Sequence, residues 1–531
     1  MHESLIKTRK EIYEQLKKKV EFYLKNKGPE LAYYYEEQEA YKNINFQNEN
    51  LEDFIQRVKE ASIVYLGDFH TFDQSSKNLQ RLIKSTLLPE KEVIIGLEFV
   101  SQDDQIYIEQ FLNEQITERE FLESINYKDS WRFPWNHYKD FFELSKKNNF
   151  KIYGLNSEGS LSDRDKSAAR SISKLHQHNP DSQIFVLFGE LHIFPDKLPK
   201  NVEELTPSKV DQVIIHQNID EIYWQQIEKS PSQRPESSIV RILDNEFSLQ
   251  NSPPWVKLES LVYWLENLNE DPEFDFHEYL IETGLKSLGN DTYDNFSYLT
   301  GKLIEAIGIE DIPKSKIDNF NLYDHHSLEF ILTKISSFHE SKRKYYTELL
   351  KQEGFFHISS TNIYYCSSYS VNRISYLTGI HLHNIIAEKN VHFENEGPFF
   401  TSEVIKSFFG YLASKIFNPY RKCDLYLDFV SAQEDGDDSK SLESVINFFN
   451  ETIELADLEQ MSKLEITTSA KKVGHALADH VYSGYSSDGV HGLKIMIKMA
   501  QTSPTLDHLT SNIENIIFSK KNFFTKSKKV F

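Results

Sequence analysis

Five side chains in this sequence combine residue types and spacings suited to chemistry: Asp68, His70, Glu98, Glu190 and His192. Four belong to two copies of one pattern, Gly67-Asp68-Phe69-His70 and Gly189-Glu190-Leu191-His192; the fifth ends Gly96-Leu97-Glu98 between them. Two imidazoles and a carboxylate can leave an open position on a divalent metal, where bound water reaches a pKa of ~7 and attacks an ester or amide. On that reading His70 and His192 are ligands and Glu98 is a third ligand or the general base. In extended backbone, positions two apart share a face. Asp68 is thus placed to orient His70 or to be a further ligand, and Glu190 to do the same for His192. A carboxylate on an imidazole fixes its tautomer and raises its basicity. A carboxylate-rich set would favour manganese or iron over zinc. Without metal, His70 oriented by Asp68 serves as a general base. Asn156 is a candidate hydrogen-bond donor to a developing oxyanion.

These residues need a scaffold that delivers them to one place. Each motif follows a short apolar run: Ile63-Val64-Tyr65-Leu66, Val93-Ile94-Ile95 and Ile184-Phe185-Val186-Leu187-Phe188. Such runs read as fully buried strands. Residues 151–155, ending on Asn156, and Val213-Ile214-Ile215 read likewise. Helical patterns separate them, over about 73–88, up to 125, around 138–144 and over 163–178. Strands alternating with helices predict an α/β fold with a mostly parallel sheet and flanking helices. Right-handed crossovers put the strand C-terminal ends on one edge, the edge where open α/β sheets bind ligands. His70, Glu98, Asn156 and His192 are expected to converge there. The glycines are expected to permit a tight exit from each strand.

A bare Gly-x-x-His carries little weight. With 19 glycines and 19 histidines, roughly one match arises by chance. A third copy, Gly354-Phe355-Phe356-His357, precedes an apolar run rather than following one and is set aside. A single histidine at a strand end is ordinarily structural. Repetition after two buried strands, with Glu98 on an intervening one, favours a functional site.

At 531 residues the chain exceeds one ordinary core. Residues 1–50 read as a helical lead, its first helix stopped at Gly28-Pro29 and followed by a tyrosine-rich stretch. Residues 51–228 read as the α/β domain, Lys229 to Ser238 as a linker, and 239–531 as a mainly α-helical region with a strand pair near 355–366. A net charge of −22 argues against nucleic acid. The lysines at 520, 521, 526, 528 and 529, interleaved with Phe523 and Phe524, read as a solvated tail. The start of the chain has no apolar signal region or lipid-attachment cysteine, and no stretch approaches the length of a membrane span. A cytoplasmic address and a small-molecule or peptide substrate are the expectations. His381 and His383, two apart on a helix, point in different directions and read as structural. His475, His480 and His325-His326 read the same way.

The paired Gly-x-x-His turns, Gly96-Leu97-Glu98 and Tyr153-Gly154-Leu155-Asn156 together resemble the ChaN-like family of the Tiki superfamily, a group that includes TraB-type proteins and erythromycin esterases. The resemblance spans roughly residues 55 to 225, with Gln217-Asn218 and Tyr223-Trp224 near its end. In Tiki-type members such motifs form a metal-dependent protease site, which would carry over to His70, Glu98 and His192. The esterase branch uses a histidine as general base. ChaN itself is a haem-binding lipoprotein of iron uptake, so the likeness also implies haem or iron binding without hydrolysis. Haem needs an axial His, Tyr, Met or Cys on an apolar face; among 28 tyrosines none stands out. The helical half lies outside the resemblance, and a partner-binding role is open to it.

Overall fold

Unbroken apolar runs build an eight-stranded sheet whose strands alternate between two cores. The strands are β1 (Gln47–Asn48), β2 (Ile63–Asp68), β3 (Val93–Ser101), β4 (Lys151–Asn156), β5 (Gln183–Gly189), β6 (Gln212–Gln217), β7 (Ile239–Leu243) and β8 (Glu246–Leu249). Their spatial order is β1-β7-β8-β6-β2-β5-β3-β4. The run from β8 to β4 is parallel, while β7 and β1 are antiparallel additions at one edge. Val64, Leu66, Ile95, Leu97, Phe185 and Leu187 face one core; Ile63, Tyr65, Ile94, Ile184, Val186 and Phe188 face the other. Helices cover both faces, so the central strands β2 and β5 are buried at every position, and alternation of polar and apolar residues is lost there. Each such side chain contributes roughly 1.5–3 kcal/mol relative to exposure.

The computed structural model describes residues 2–24, 39–88, 91–207, 209–230, 235, 237–265, 292–310, 312–324, 327–367, 370–387, 393–484, 489–502, 504–528 and 530. The Gly28-Pro29 stop, the tyrosines at 33 to 35, residues 231–234 of the expected linker, His325-His326 and Lys529 lie outside them. The chain forms two compact units: Glu11–Tyr279 with Val530–Phe531, and Leu280–Lys529 with Met1–Lys10. The sheet therefore extends past residue 228, because the hairpin β7–β8 joins it. Its turn is short and its strands are only partly apolar, which hid it behind the neighbouring proline and serine run.

The second unit is largely helical. The helices Val371–Ile386, Glu396–Phe417 and Lys463–Ser483 pack together. Beside them β10 (Phe355–His357) and β11 (Ile363–Cys366) form the antiparallel pair expected near 355–366, joined in parallel by β9 (Asn321–Tyr323). The lysine-rich end is less free than a solvated tail: Phe523 is buried against Phe449 and His480. No described helix is long and apolar enough to cross a membrane.

Candidate functional site

The sheet order makes β2, β5 and β3 neighbours, so their C-terminal ends deliver His70, Gly189 and Glu98 to adjacent places. His70 Nε2 lies 3.8 Å from Glu98 Oε2, and His192 Nε2 lies 3.7 Å from Glu98 Oε1. Glu98 does not end its strand; β3 continues to Ser101, with its register to β4 slipping between Leu97 and Ser101. An irregularity of that kind re-aims a side chain.

Each imidazole is fixed by a carboxylate on its other nitrogen. Asp68 continues the side of β2 that carries Val64 and Leu66, and its Oδ2 accepts from His70 Nδ1 at 2.9 Å and from Tyr138 Oη at 2.9 Å. His192 Nδ1 donates to Asp165 Oδ1 at 2.5 Å. In both rings Nε2 is thereby the free nitrogen. Asp165 lies just past the first turn of the helix Leu161–His178, whose start is fixed by a reciprocal Ser160–Asp163 capping box. The same turn supplies Arg164, which pairs with Glu98 Oε1 and donates from Nε to Asn156 Oδ1 at 3.2 Å. Asn156 thus holds Arg164 at the site, and its oxygen also accepts from Ser157 N.

Charge follows from this geometry. Burial pulls His70 toward its neutral form, but the Asp68 charge and hydrogen bond, with Glu98 behind them, outweigh it and raise its pKa above 6.5. Burial opposes the Glu98 charge, yet His70, His192, Arg164 and the Gly189 N–H hold its pKa below 4.5. Glu98 is 3% exposed, whereas the His70 side chain is 23% exposed and Arg164 21%, so these two face the approach to the site. Trp131 and Phe133 flank the His70 ring at 4.5 and 4.9 Å between centroids.

Glu190 does not support His192. Strand β5 ends at Gly189 and the chain turns into a 3-10 helix, Glu190–His192, in which residues two apart diverge. The Glu190 carboxylate instead meets His216 Nδ1 at 3.2 Å, and Glu246 meets His216 Nε2 at 3.0 Å. Tyr41 Oη donates to Glu246 at 2.8 Å. This buried Glu–His–Glu group was not anticipated. Glu246 lies on the unrecognised hairpin, and His216 sits inside an apolar strand run with no motif around it. Arg164, Asp165 and Tyr138 were also missed. A sequence signal existed for the first two: Ser160-x-x-Asp163 directly after β4 marks a helix beginning at the ligand edge.

The expected metal set of His70, His192, Glu98, Asp68 and Glu190 is therefore divided among other partners. Among the described residues no three His, Cys, Asp or Glu side chains are placed to hold a metal ion. A guanidinium already occupies Glu98, and Glu190 belongs to a separate group.

Both motif glycines serve a purpose other than a tight turn, since neither has a positive φ. A Cβ on residue 67 would lie 2.4 Å from Glu190 Oε2. One on residue 189 would lie 3.2 Å from Glu98 Oε2, 3.3 Å from His192 Cδ2 and 3.4 Å from His70 Cε1. The glycines are the space into which the carboxylates and imidazoles fit. Gly189→Ala is expected to cost about 1–2 kcal/mol through overpacking and to spread the three side chains. Thermal denaturation reads the first effect; an unchanged midpoint would show that the cluster relaxes freely.

Residues 54–164 match the model of a family described as haem-binding uptake, Tiki superfamily, ChaN. Two solved structures resemble the chain. One is of cofacial heme binding to ChaN of Campylobacter jejuni: 16% identity, 32% of this chain and 87% of that one covered, TM-score 0.25. The other is the type III effector HopBA1, with 11% identity, 33% and 87% coverage, and a TM-score of 0.25. No curated protein matches.

Proposed function

We propose that the α/β unit, whose residues 54–164 match the model of the ChaN family of the Tiki superfamily, is a hydrolase of small esters or amides that uses His70 as a general base. The observation that carries this reading is the Asp68–His70 pair. Its hydrogen bond of 2.9 Å leaves Nε2 as the basic nitrogen. Water held between His70 Nε2 and Glu98 Oε2 attacks the carbonyl carbon and passes its proton to Nε2. Asp68 stabilises the imidazolium that forms. Arg164, steadied by Glu98 and Asn156, faces the developing oxyanion. The carbon–oxygen or carbon–nitrogen bond then breaks, and the imidazolium returns its proton to the leaving group.

His70→Ala is expected to lower p-nitrophenyl acetate hydrolysis about a hundredfold, with the parent rate unaffected by chelator. Because the base must be neutral, the rate rises with pH through a pKa above the ordinary imidazole value. Equal rates in parent and variant would end this reading.

A second reading, haem binding, rests on His137. His70 and His192 suit an axial role poorly, since each free nitrogen faces buried Glu98. His137 suits it better. Its Nδ1 donates to the His70 carbonyl at 3.1 Å, which leaves Nε2 as the ligand atom, and burial keeps the ring neutral with a lowered pKa. It closes the segment that carries Trp131, Phe133 and Trp135, and Trp264 stacks on Phe133 at 5.0 Å. Bound haem would supply redox or transport chemistry, with His137 holding the iron and the aromatic rings shielding the macrocycle. His137→Ala is expected to weaken a Soret titration with added haem about tenfold or more; an unchanged titration removes His137 from this reading.

A further inference from the structure

Within the helical unit a cavity of about 610 Å³ is lined by His357, His381, His383, Asn384 and Tyr364 together with the Glu403–Lys406 pair. The hydrogen bonds in its wall form one chain with a single consistent assignment of protons. The Ile317 carbonyl can only accept, so His381 Nε2 donates to it at 2.8 Å and His381 Nδ1 is an acceptor. Tyr364 Oη, 2.9 Å away, therefore donates to His381 Nδ1. Having spent its proton, Tyr364 accepts from Asn384 Nδ2 at 2.8 Å. The Thr361 carbonyl accepts from His357 Nε2 at 2.6 Å, so His357 Nδ1 takes the second N–H of Asn384 at 3.3 Å. With both N–H groups of the amide assigned, its oxygen is an acceptor, and His383 Nδ1 donates to it at 3.3 Å.

The consequence is carried by His383. It is 7% exposed, its ring lines the cavity, and its Nε2 makes no hydrogen bond among the described residues. The relay makes that nitrogen a lone-pair acceptor, so its natural partner is an O–H or N–H of a guest. Burial and nearby Lys406 push the pKa of His383 down to about 4, and burial brings that of His357 to about 3, so both rings are neutral near pH 7. Lys406 Nζ is paired with Glu403 at 2.8 Å, and the other lysine of the lining, Lys316, is exposed to solvent, so the buried part of the wall carries no net charge. Ser359, Thr361, Asn362 and Ser402 add hydroxyl and amide groups, and Phe393 and Phe399 add apolar ring surface. A wall whose buried part is neutral and mixes an acceptor nitrogen, hydroxyls, amides and aromatic rings suits a ligand with many hydroxyls and no charge.

We propose that this cavity binds a neutral, sugar-like polyol, one hydroxyl of which donates to His383 Nε2. The volume suits one or two pyranose rings. The site is separate from the chemistry assigned to His70 and stands whether or not that assignment holds.

The test is calorimetric titration of the full chain with glucose, galactose, ribose and maltose, and with glucose 6-phosphate as the charged comparison. At least one neutral sugar is expected to saturate the protein. His383→Phe, which removes the acceptor, is expected to weaken binding about tenfold or more. His383→Gln, which can present an amide oxygen, should recover part of that loss. Ser402→Trp fills the cavity without touching the relay and should also abolish binding, with the thermal midpoint of each variant confirming that it is folded. His70→Ala should bind sugar as the parent does. Absence of saturation by any of the four neutral sugars at about 10 mM, preference for glucose 6-phosphate over glucose, or binding that survives both His383→Phe and Ser402→Trp would overturn the proposal.

Discussion

His216→Leu is expected to unfold about 3–5 kcal/mol more easily than the parent at neutral pH, the usual cost of removing one member of a buried ion group. His216 is fully buried, with Glu190 and Glu246 only 4% and 5% exposed. Leucine would leave two buried carboxylates facing each other without the imidazolium between them. Burial alone would lower the pKa of His216, but its hydrogen bonds to Glu190 and Glu246 and their charges prevail, and the value rises to about 9. A raised folded-state pKa gives stability that is complete below the unfolded value near 6.5 and is lost as pH rises through about 9. The parent should therefore lose stability between these pH values, by about 3 kcal/mol at most, and His216→Leu should lack that decline. Urea denaturation at pH 6, 8 and 10 reads both. A variant as stable as the parent, with the same pH profile, would show that the ring is neutral in the folded chain.

Glu98→Ala should combine a loss of stability with a loss of function. The carboxylate accepts from Gly189 N at 2.5 Å, pairs with Arg164 and stands between two imidazoles. Its removal strands the Gly189 N–H and three potential cations. Because Arg164 and His70 are partly exposed and can recruit water, the expected cost is about 2–4 kcal/mol, below that of a fully enclosed pair. Hydrolysis should fall about a hundredfold or more, since Arg164 and the attacking water lose their anchor. Glu98→Gln keeps an acceptor for Gly189 and should recover part of the stability but little of the rate. Retention of full stability by Glu98→Ala would mean that Arg164 is not held through this carboxylate.

The strands of the α/β unit were legible because burial on both faces writes itself as unbroken apolar runs. Val93-Ile94-Ile95 and Ile184 to Phe188 admit few other structures once helical patterns lie between them. The arrival of His70, Glu98 and His192 at one edge followed from that topology. The partners of these residues did not follow. Asp68 and Glu190 occupy the same place in their motifs, yet one stays on an extended strand and binds its histidine, while the other enters a 3-10 turn and is drawn to His216. Local spacing cannot separate two such exits, because the choice is made by groups brought from elsewhere: Asp165 for His192, and His216 with Glu246 for Glu190. The histidines of the helical half show the same limit. Two apart on a helix, His381 and His383 line the same cavity, yet both nitrogens of His381 are hydrogen-bonded, while His383 is hydrogen-bonded through Nδ1.

The amino-acid sequence by itself determined the alternation of strands and helices, the parallel sheet and the edge at which reactive side chains gather, because these depend on periodicity and burial. Only the tertiary structure decided which carboxylate serves which imidazole, that Arg164 pairs with Glu98, and how closely side chains crowd the place of a Cβ at residues 67 and 189. Those outcomes depend on contacts a few ångströms long between segments far apart in the chain, and no local pattern encodes them.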